Sequence, residues 1–590
     1  MQSGNHRRWV RLVALASPNL SDFRRAIVCV RERNTCARTH VTARLPPRRW
    51  WLSAVLLAAL ICIAGATRMA PSISGLFHDD AIYTVLAKSL AEGNGYTLTS
   101  LPSSPAQAKY PFLYPYILSW IWWLEPSFPD NLWLLKLFNF VMLFAALLFA
   151  WSLHRHYLPN DELGALLSLF LLGTNIYVTS TVRLLMTEML FLNLVLCGLW
   201  LTKTHSSIRV ALLALVSAAS YLTRTSGVAL LISALVATAL RADRRRTMLF
   251  ATLAAAVASP WVVWQKVHIR PPGNPLLQYY ITYDFSSIAY VALWQDPTRG
   301  LNILIGNARY VLDSFDESLL LQVVPGLRFV IYAFVVLGAL RLWRERAPIL
   351  KLFVFIYLGL IVSWPWHPSR FFLHLVPVVL LLIFCGIAES HRRLQRPSMP
   401  SARTIRALLL APVAAVSVIH IAWFSGYLAG RIPAPPAERM EAHWPGFLET
   451  FAWIRQHTAP NAILASGFDQ MYYLYTQRRG VRPWFYRPES YFYPYGRAIP
   501  DLGDHEEIRR ALRQLGVTHL IVDPLDIYAE QSAAPELFRR LITVSGTTLE
   551  PLFQSSDGLH KVYALPHDAA TPLHTAFTSD AFVSAMPRAD

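Results

Sequence analysis

Long apolar runs recur along this chain and limit its choice of fold more than any other feature. "RWWLSAVLLAALICIAGA" near the start and "RFFLHLVPVVLLLIFCGIA" beyond residue 369 are two of them. A run of roughly 18–20 apolar residues, at 1.5 Å per residue, matches the roughly 30 Å hydrocarbon core of a bilayer. Backbone that crosses lipid has to satisfy its own hydrogen bonds, so such runs are helices. We read a polytopic α-helical membrane protein of about eleven spans, near 50–68, 132–151, 163–182, 187–202, 208–223, 226–240, 247–265, 326–341, 350–366, 371–389 and 405–428. Composition agrees: 15% of residues are charged, against about 25% in a soluble globular domain.

The net charge of +18 invites a nucleic-acid reading, but the positions of the charges argue against one. Residues 1–50 alone hold eleven Arg and two acids. The loops "HRHYLPNDE", "KTHSSIR", "RADRRR", "RLWRERAPILK" and "HRRLQRPSMPSARTIR" carry sixteen more Lys and Arg. With the N-terminus inside, all of these fall on the cytoplasmic side, as positive charge retained there requires. The same parity makes "YPFLYPYILSWIWWL" (110–124 with its leading Tyr) an interfacial helix, since a helix this short reaches only about 20 Å. Outer loops then cover 69–131 and 267–325. Residues 1–49 form a basic cytoplasmic arm, expected to be disordered, and the first run is a retained span with no convincing cleavage site after it. Residues 50–430 form the transmembrane part. Residues 431–590 form an extracytoplasmic α/β domain, because the helical pattern "HEEIRRALRQLG" alternates with "AILAS", "THLIVD" and "KVYAL". The five cysteines, Cys29, Cys36, Cys62, Cys197 and Cys385, show neither a disulfide framework nor a zinc spacing.

Charge next to lipid is expensive, which singles out "GLFHDDAIYTVLAKSL". Residues 81–90 predict a surface helix with Ile82, Val85, Leu86, Ser89 and Leu90 on one side, Thr84 and Lys88 on the other, and Gly93 as its stop. Asp79 and Asp80 sit at its start. One bland reading is a helix cap plus a first-turn acid, a gain of roughly 1 kcal/mol that one aspartate suffices to supply. Other ionisable residues fall on the same outer side: Lys109 before "YPFLYP", Arg183 and Glu188 in "VRLLMTEMLF", Arg224 in "YLTRTSG" and Arg370 in "WPWHPSRFF". Each alone reads as an interfacial anchor. Gathered at several span ends on one face, the carboxylates suit binding or deprotonating a hydroxyl, and the cations suit holding a phosphate.

The ordered set "HDDAIYTVLAKSLAEGNGY", "KYPFLYPYILSWIW", "RLLMTEMLF", "YLTRTSGVALL" and "SRFFLHLVPVVLLLIF" resembles the GT-C superfamily of membrane glycosyltransferases over about residues 50–430. These include protein O-mannosyltransferases and lipid A aminoarabinose transferases. The resemblance implies inverting transfer of a sugar from a polyprenyl-phosphate donor to a lipid, glycan or protein acceptor. The site would face the outside of a bacterial inner membrane. It puts the first-loop acidic motif on Asp79 and Asp80, with one of them as base, and the later span-end acid on Glu188. The donor-phosphate contacts fall on Lys109 and Arg370, with Arg224 as a further candidate. No cofactor is required on this reading, and a divalent metal is left open. His367 and His374, seven apart on one helical face, are the pair to examine for one. The sequence shows no Gly-rich phosphate loop. A secondary transporter of a small polar solute is the alternative; it predicts internal repeats and charges at mid-membrane, and here the charges sit at span ends. A membrane-anchored sensor is a more remote one.

Overall fold

The computed structural model describes residues 48–202, 206–241, 243–269, 273–281, 296–344, 348–364, 368–395, 401–432, 440–485, 502–524, 534–544 and 547–566. The basic arm, apart from its last two residues, and His367 lie outside them. The chain divides into two packing units, 1–53 and 54–590. Within the described residues the first unit is only the opening of helix Arg48–Ala66. Everything below concerns the second.

Six helices are long and apolar enough to cross a membrane: Arg48–Ala66, Leu132–Tyr157, Arg244–His268, Pro325–Arg344, Ser369–Leu394 and Ala402–Leu428. A seventh span results if Glu162–Gly173 and Ile176–Val182, bent by 52° at their junction, are taken together. Asn175 makes that bend, because its side chain accepts from the Tyr177 amide and so starts a second helix. Four further apolar helices of 14 to 17 residues, Glu188–Leu201, Ser207–Thr223, Thr225–Arg241 and Pro348–Val362, occupy the other segments read as spans. The chain is therefore an integral membrane protein built mainly of helices. Polar residues in the loops read as cytoplasmic start the next helices. Asp161, Ser206, Asp243 and Ser401 each accept a bond from the amide three residues on, which satisfies a donor the helix itself leaves open.

The C-terminal alternation folds as an α/β layer. Strands β1 (Ile463–Ala465), β2 (Arg479–Val481), β3 (His519–Val522), β6 (Phe553–Gln554) and β7 (Lys561–Ala564) form one sheet in the order β2-β1-β3-β7-β6. β1 pairs in parallel with both β2 and β3, while β7 runs antiparallel to β3, with Leu520 opposite Tyr563. "HEEIRRALRQLG" is the helix His505–Gln514. The three strand-like runs read from the sequence are β1, β3 and β7; β2 and β6 are additions. A separate short hairpin joins β4 (Thr543–Val544) to β5 (Thr547–Thr548).

The predicted first-loop helix spans Asp79–Ala91. It stops as expected: Gly93 has φ +78°, its amide reaches Leu90 O and the Asn94 amide reaches Ser89 O, a Schellman ending that suits glycine. The two-sided expectation fails, however. Nine of its thirteen residues are buried, Thr84 among them. Its polar side faces protein: Thr84 bonds back to Asp80 O, and the Lys88 ammonium lies over the Tyr473 ring. A helix lying on the membrane surface would leave that side in water; here helix Asp469–Thr476 of the α/β layer covers it. The next helix, Leu113–Leu124, does have an open side, with Trp120 and Trp123 58% and 75% exposed, while Tyr114, Leu118 and Trp122 are buried.

Candidate active site

The loop before the first-loop helix is held from three directions. Asp80 accepts from the amides of Gly75 (2.8 Å) and Phe77 (3.2 Å). The Lys136 ammonium donates to Ala70 O and Ile73 O. The Tyr475 hydroxyl donates to Ser72 O and accepts from the Ser74 amide. These bonds bend the chain so tightly that His78 takes φ +64°, uncommon for a residue with a Cβ. His78 is buried, with Nε2 3.0 Å from Asp469 Oδ1, and the Tyr280 hydroxyl donates to the other Asp469 oxygen at 2.7 Å. The residue before Asp79 is thus anchored at the start of helix Asp469–Thr476, which follows β1.

The two aspartates consequently part company. Neither caps the helix, because its first residue follows His78 and no side chain bonds there. Asp80 turns inward, 1% exposed, and both its oxygens serve the loop. Burial pushes its carboxyl above the usual range, against the Gly75 amide and Lys136. This places Asp80 in the loop architecture rather than on a reacting face. Asp79 turns the other way. Its Oδ1 accepts from the Tyr110 hydroxyl at 2.8 Å, and its Oδ2 from Arg370 at 3.0 Å. Burial would raise the Asp79 carboxyl, but Arg370 and Lys109 together hold it below the usual carboxylate range, so it is ionised at neutral pH.

From Asp79 a chain of ion pairs runs inward. Arg370 bridges Asp79 and Glu188, and Arg224 donates to the same Glu188 oxygen at 2.8 Å and to Thr187 Oγ1 at 2.7 Å. Glu188 opens its helix with its side chain fully buried, whereas Asp79 and Arg370 keep 18% and 20% of theirs exposed. The open end of the chain is therefore Asp79 with Arg370. Lys109 lies on the other side of Tyr110. Its ammonium donates to Tyr279 O at 2.9 Å and sits 3.5 Å from the centre of the Tyr279 ring. Burial brings the Lys109 pKa down to about 7, with Asp79 raising it and Arg482 lowering it further.

Of the residues singled out from the sequence, the fold joins Asp79, Glu188, Arg224 and Arg370 directly and sets Lys109 beside them. Arg183 is engaged apart from this group, with Glu441 at 3.0 Å and the Tyr427 hydroxyl. His374 is buried, 2.9 Å from the Tyr357 hydroxyl. Among the described residues no three His, Cys, Asp or Glu side chains gather as a metal site would require. The aromatic residues divide. Tyr83 packs edge to face with both Tyr110 and Tyr114 inside the protein, so these rings are core rather than open sugar platforms. Sequence reasoning missed Tyr110, His78, Tyr279, Asp469 and Arg482. Two had a signal, since Tyr110 follows Lys109 and His78 precedes the aspartates. The others come from distant segments.

No protein-family model matches the chain, and no curated protein matches it by sequence. Among solved structures, the crystal structure of ArnT from Cupriavidus metallidurans bound to undecaprenyl phosphate matches with a TM-score of 0.51 at 12% identity, over 89% of this chain and 99% of that one. The apo crystal structure of the same ArnT matches with a TM-score of 0.47 at 12% identity, over 88% and 98%. The cryo-EM structure of the arabinofuranosyltransferase AftD from Mycobacteria matches with a TM-score of 0.44 at 16% identity, over 89% of this chain and 40% of that one. The first match establishes a shared fold, the one the motif resemblance implied.

Proposed function

We propose that this chain, built on the GT-C fold, is an inverting glycosyltransferase that takes its sugar from a polyprenyl-phosphate donor at the outer face of the membrane. One observation carries the reading: an ionised carboxylate, Asp79, is held at a partly open rim between a guanidinium, Arg370, and the segment that bears Lys109. A carboxylate beside paired cations suits a reaction that deprotonates one partner and releases a phosphate from the other. That the fold-related ArnT binds undecaprenyl phosphate supports the donor class.

The step is a single displacement. The acceptor hydroxyl oxygen attacks the anomeric carbon, the bond from that carbon to the phosphate oxygen breaks, and the leaving polyprenyl phosphate keeps the electron pair. The hydroxyl proton goes to Asp79. A free hydroxyl has a high pKa, so the base acts as the new bond forms and positive charge builds on the attacking oxygen. The leaving phosphate gains negative charge at the same moment, and fixed cations stabilise it most then. Lys109 is the phosphate contact. Arg370 and Arg224 are already neutralised by Asp79 and Glu188, so we assign them first to holding those carboxylates. Glu188 orients the two arginines, and Asp80 shapes the loop. The step as written needs no cofactor. The donor's lipid tail lies between spans, and the eleven-span topology with 431–590 outside brings the rim to the outer surface. The acceptor is a lipid, glycan or protein hydroxyl.

Among the described residues, the bent helix pair at Asn175 is a feature a secondary transporter would share. Purified protein given radiolabelled polyprenyl-phosphate sugars and membrane extract separates the two. Label appearing in an acceptor supports the enzyme; solute uptake into vesicles without any transfer sinks it.

A further inference from the structure

We propose that the cleft where five helix ends meet, on the side that the loop charges assign to the cytoplasm, binds the headgroup phosphate of an anionic phospholipid. This site is separate from Asp79 and independent of the sugar-transfer reading. The ends of Leu132–Tyr157, Pro325–Arg344 and Ser369–Leu394 and the starts of Glu162–Gly173 and Ala402–Leu428 surround a cavity of about 290 Å³. Its lining changes character with depth. Along Ser369–Leu394, Phe384, Ile387 and His391 recur on one face, and Phe384 lies about 10 Å deeper than His391 at 1.5 Å per residue. Along Ala402–Leu428, Arg406 is nearer the end and Leu410 one turn further in. Arg341 adds a second guanidinium from the last turn of Pro325–Arg344. A cleft that is cationic at its mouth and apolar inside matches a phospholipid, whose phosphate stays at headgroup level while its glycerol and acyl chains lie deeper.

The charge on these segments favours an anion. Residues 154–162, 341–346 and 389–406 hold nine Arg against four Asp and Glu in the sequence. Acids are scarce enough here that the buried Glu389 serves three arginines, Arg392 at 2.7 Å, Arg393 at 2.8 Å and Arg344 at 3.8 Å. Among the described residues lining the cleft, Asp161 is the one acid, and it accepts from Arg406 at 2.8 Å and from the Gly164 amide at 3.2 Å. That bond fixes Arg406 and takes one of the five N–H donors a guanidinium carries. Its planar fork also matches phosphate oxygens better than an ammonium would. Retention of positive charge on the inner side accounts for the number of arginines. It does not account for two of them lining a cleft with an apolar floor, and that floor selects a lipid over a soluble phosphate.

The test uses the full chain in detergent, with bound lipid followed by native mass spectrometry. Dioleoyl phosphatidylglycerol is the probe, and dioleoyl phosphatidylcholine, with the same chains and no net charge, is the control. Wild type should retain phosphatidylglycerol in preference. Arg341→Gln and Arg406→Gln should each weaken its binding by about fivefold and leave phosphatidylcholine unchanged. Arg403→Gln, at an exposed position outside the cleft, removes the same charge and should change little. Ala388→Phe fills the cleft without altering charge and should abolish the preference. Ala388→Leu carries the same expectation, should the larger side chain prevent folding. An equal loss in Arg403→Gln and Arg406→Gln, or an undiminished preference in a folded Ala388→Phe or Ala388→Leu protein, means that the lipid meets the basic surface as a whole and overturns the site. Displacement of phosphatidylglycerol by equimolar inorganic phosphate assigns the cleft to a soluble anion and overturns the lipid.

Discussion

Asp79 and Asp80 share a helix turn and meet opposite surroundings, so the same substitution should do different things to each. Asp79→Asn removes a partly exposed charge and keeps the shape. Sugar transfer should fall by about 10²–10⁴-fold, with the melting temperature nearly unchanged. Asp80→Asn leaves a loop amide without its acceptor, and should lower stability by about 1–3 kcal/mol while affecting transfer mainly through the folded fraction. Full transfer in both variants would reduce the pair to helix-end acids. Lys109 predicts a pH dependence. Burial brings its pKa down to about 7, and a bound phosphate raises it, so binding above pH 7 takes up a proton. A phosphate monoester is already dianionic above a pKa of about 6. Affinity for undecaprenyl phosphate should therefore be full near pH 7 and fall as pH rises toward 9, by up to tenfold per unit. Lys109→Arg should flatten the profile; a flat wild-type profile would show that Lys109 is not the phosphate's partner.

At the scale of elements, Glu188 is where helix Glu188–Leu201 meets two others. Its carboxylate is fully buried between Arg224, at the end of helix Ser207–Thr223, and Arg370, at the start of the span Ser369–Leu394. Removing one partner of a buried ion pair leaves uncompensated charge, typically at a cost of about 3–5 kcal/mol. Glu188→Gln is nearly isosteric and should still lower the thermal stability in detergent sharply. An unchanged melting temperature would mean that the two arginines do not depend on this carboxylate. Element by element, much was readable. Each segment read as a span holds an apolar helix, and Gly93 stops the first-loop helix as its sequence implies. The burial of that helix on both sides was not readable. Thr84 and Lys88 look like a solvent face by periodicity alone, yet Thr84 is buried and Lys88 lies over Tyr473 of helix Asp469–Thr476, almost four hundred residues away.

For the whole molecule, the orientation rests on where Lys and Arg lie between spans, and it is directly testable. In a cysteine-free background, single cysteines at the exposed positions Ser103 and Glu550 should react with an impermeant thiol reagent on intact cells, and one at Asp243 should not. Labelling at 243 without labelling at 103 would turn the proposed site to the cytoplasm and remove its access to an outward-facing donor.

The apolar runs, their lengths and the flanking charges determined by themselves that this chain is an integral membrane protein of many helices, because lipid imposes one rule on every residue that enters it. The same text marked Asp79, Glu188, Lys109, Arg224 and Arg370, since ionisable groups beside lipid stand out by their cost. The tertiary structure alone decided how they combine. A single Glu188 oxygen takes both Arg224 and Arg370, Asp80 serves the loop while Asp79 faces Tyr110, and the start of helix Asp469–Thr476 reaches back to His78. Those choices depend on which distant side chains share a space of a few ångströms. Periodicity and composition describe how each segment meets its solvent, and they carry no record of which other segment it meets.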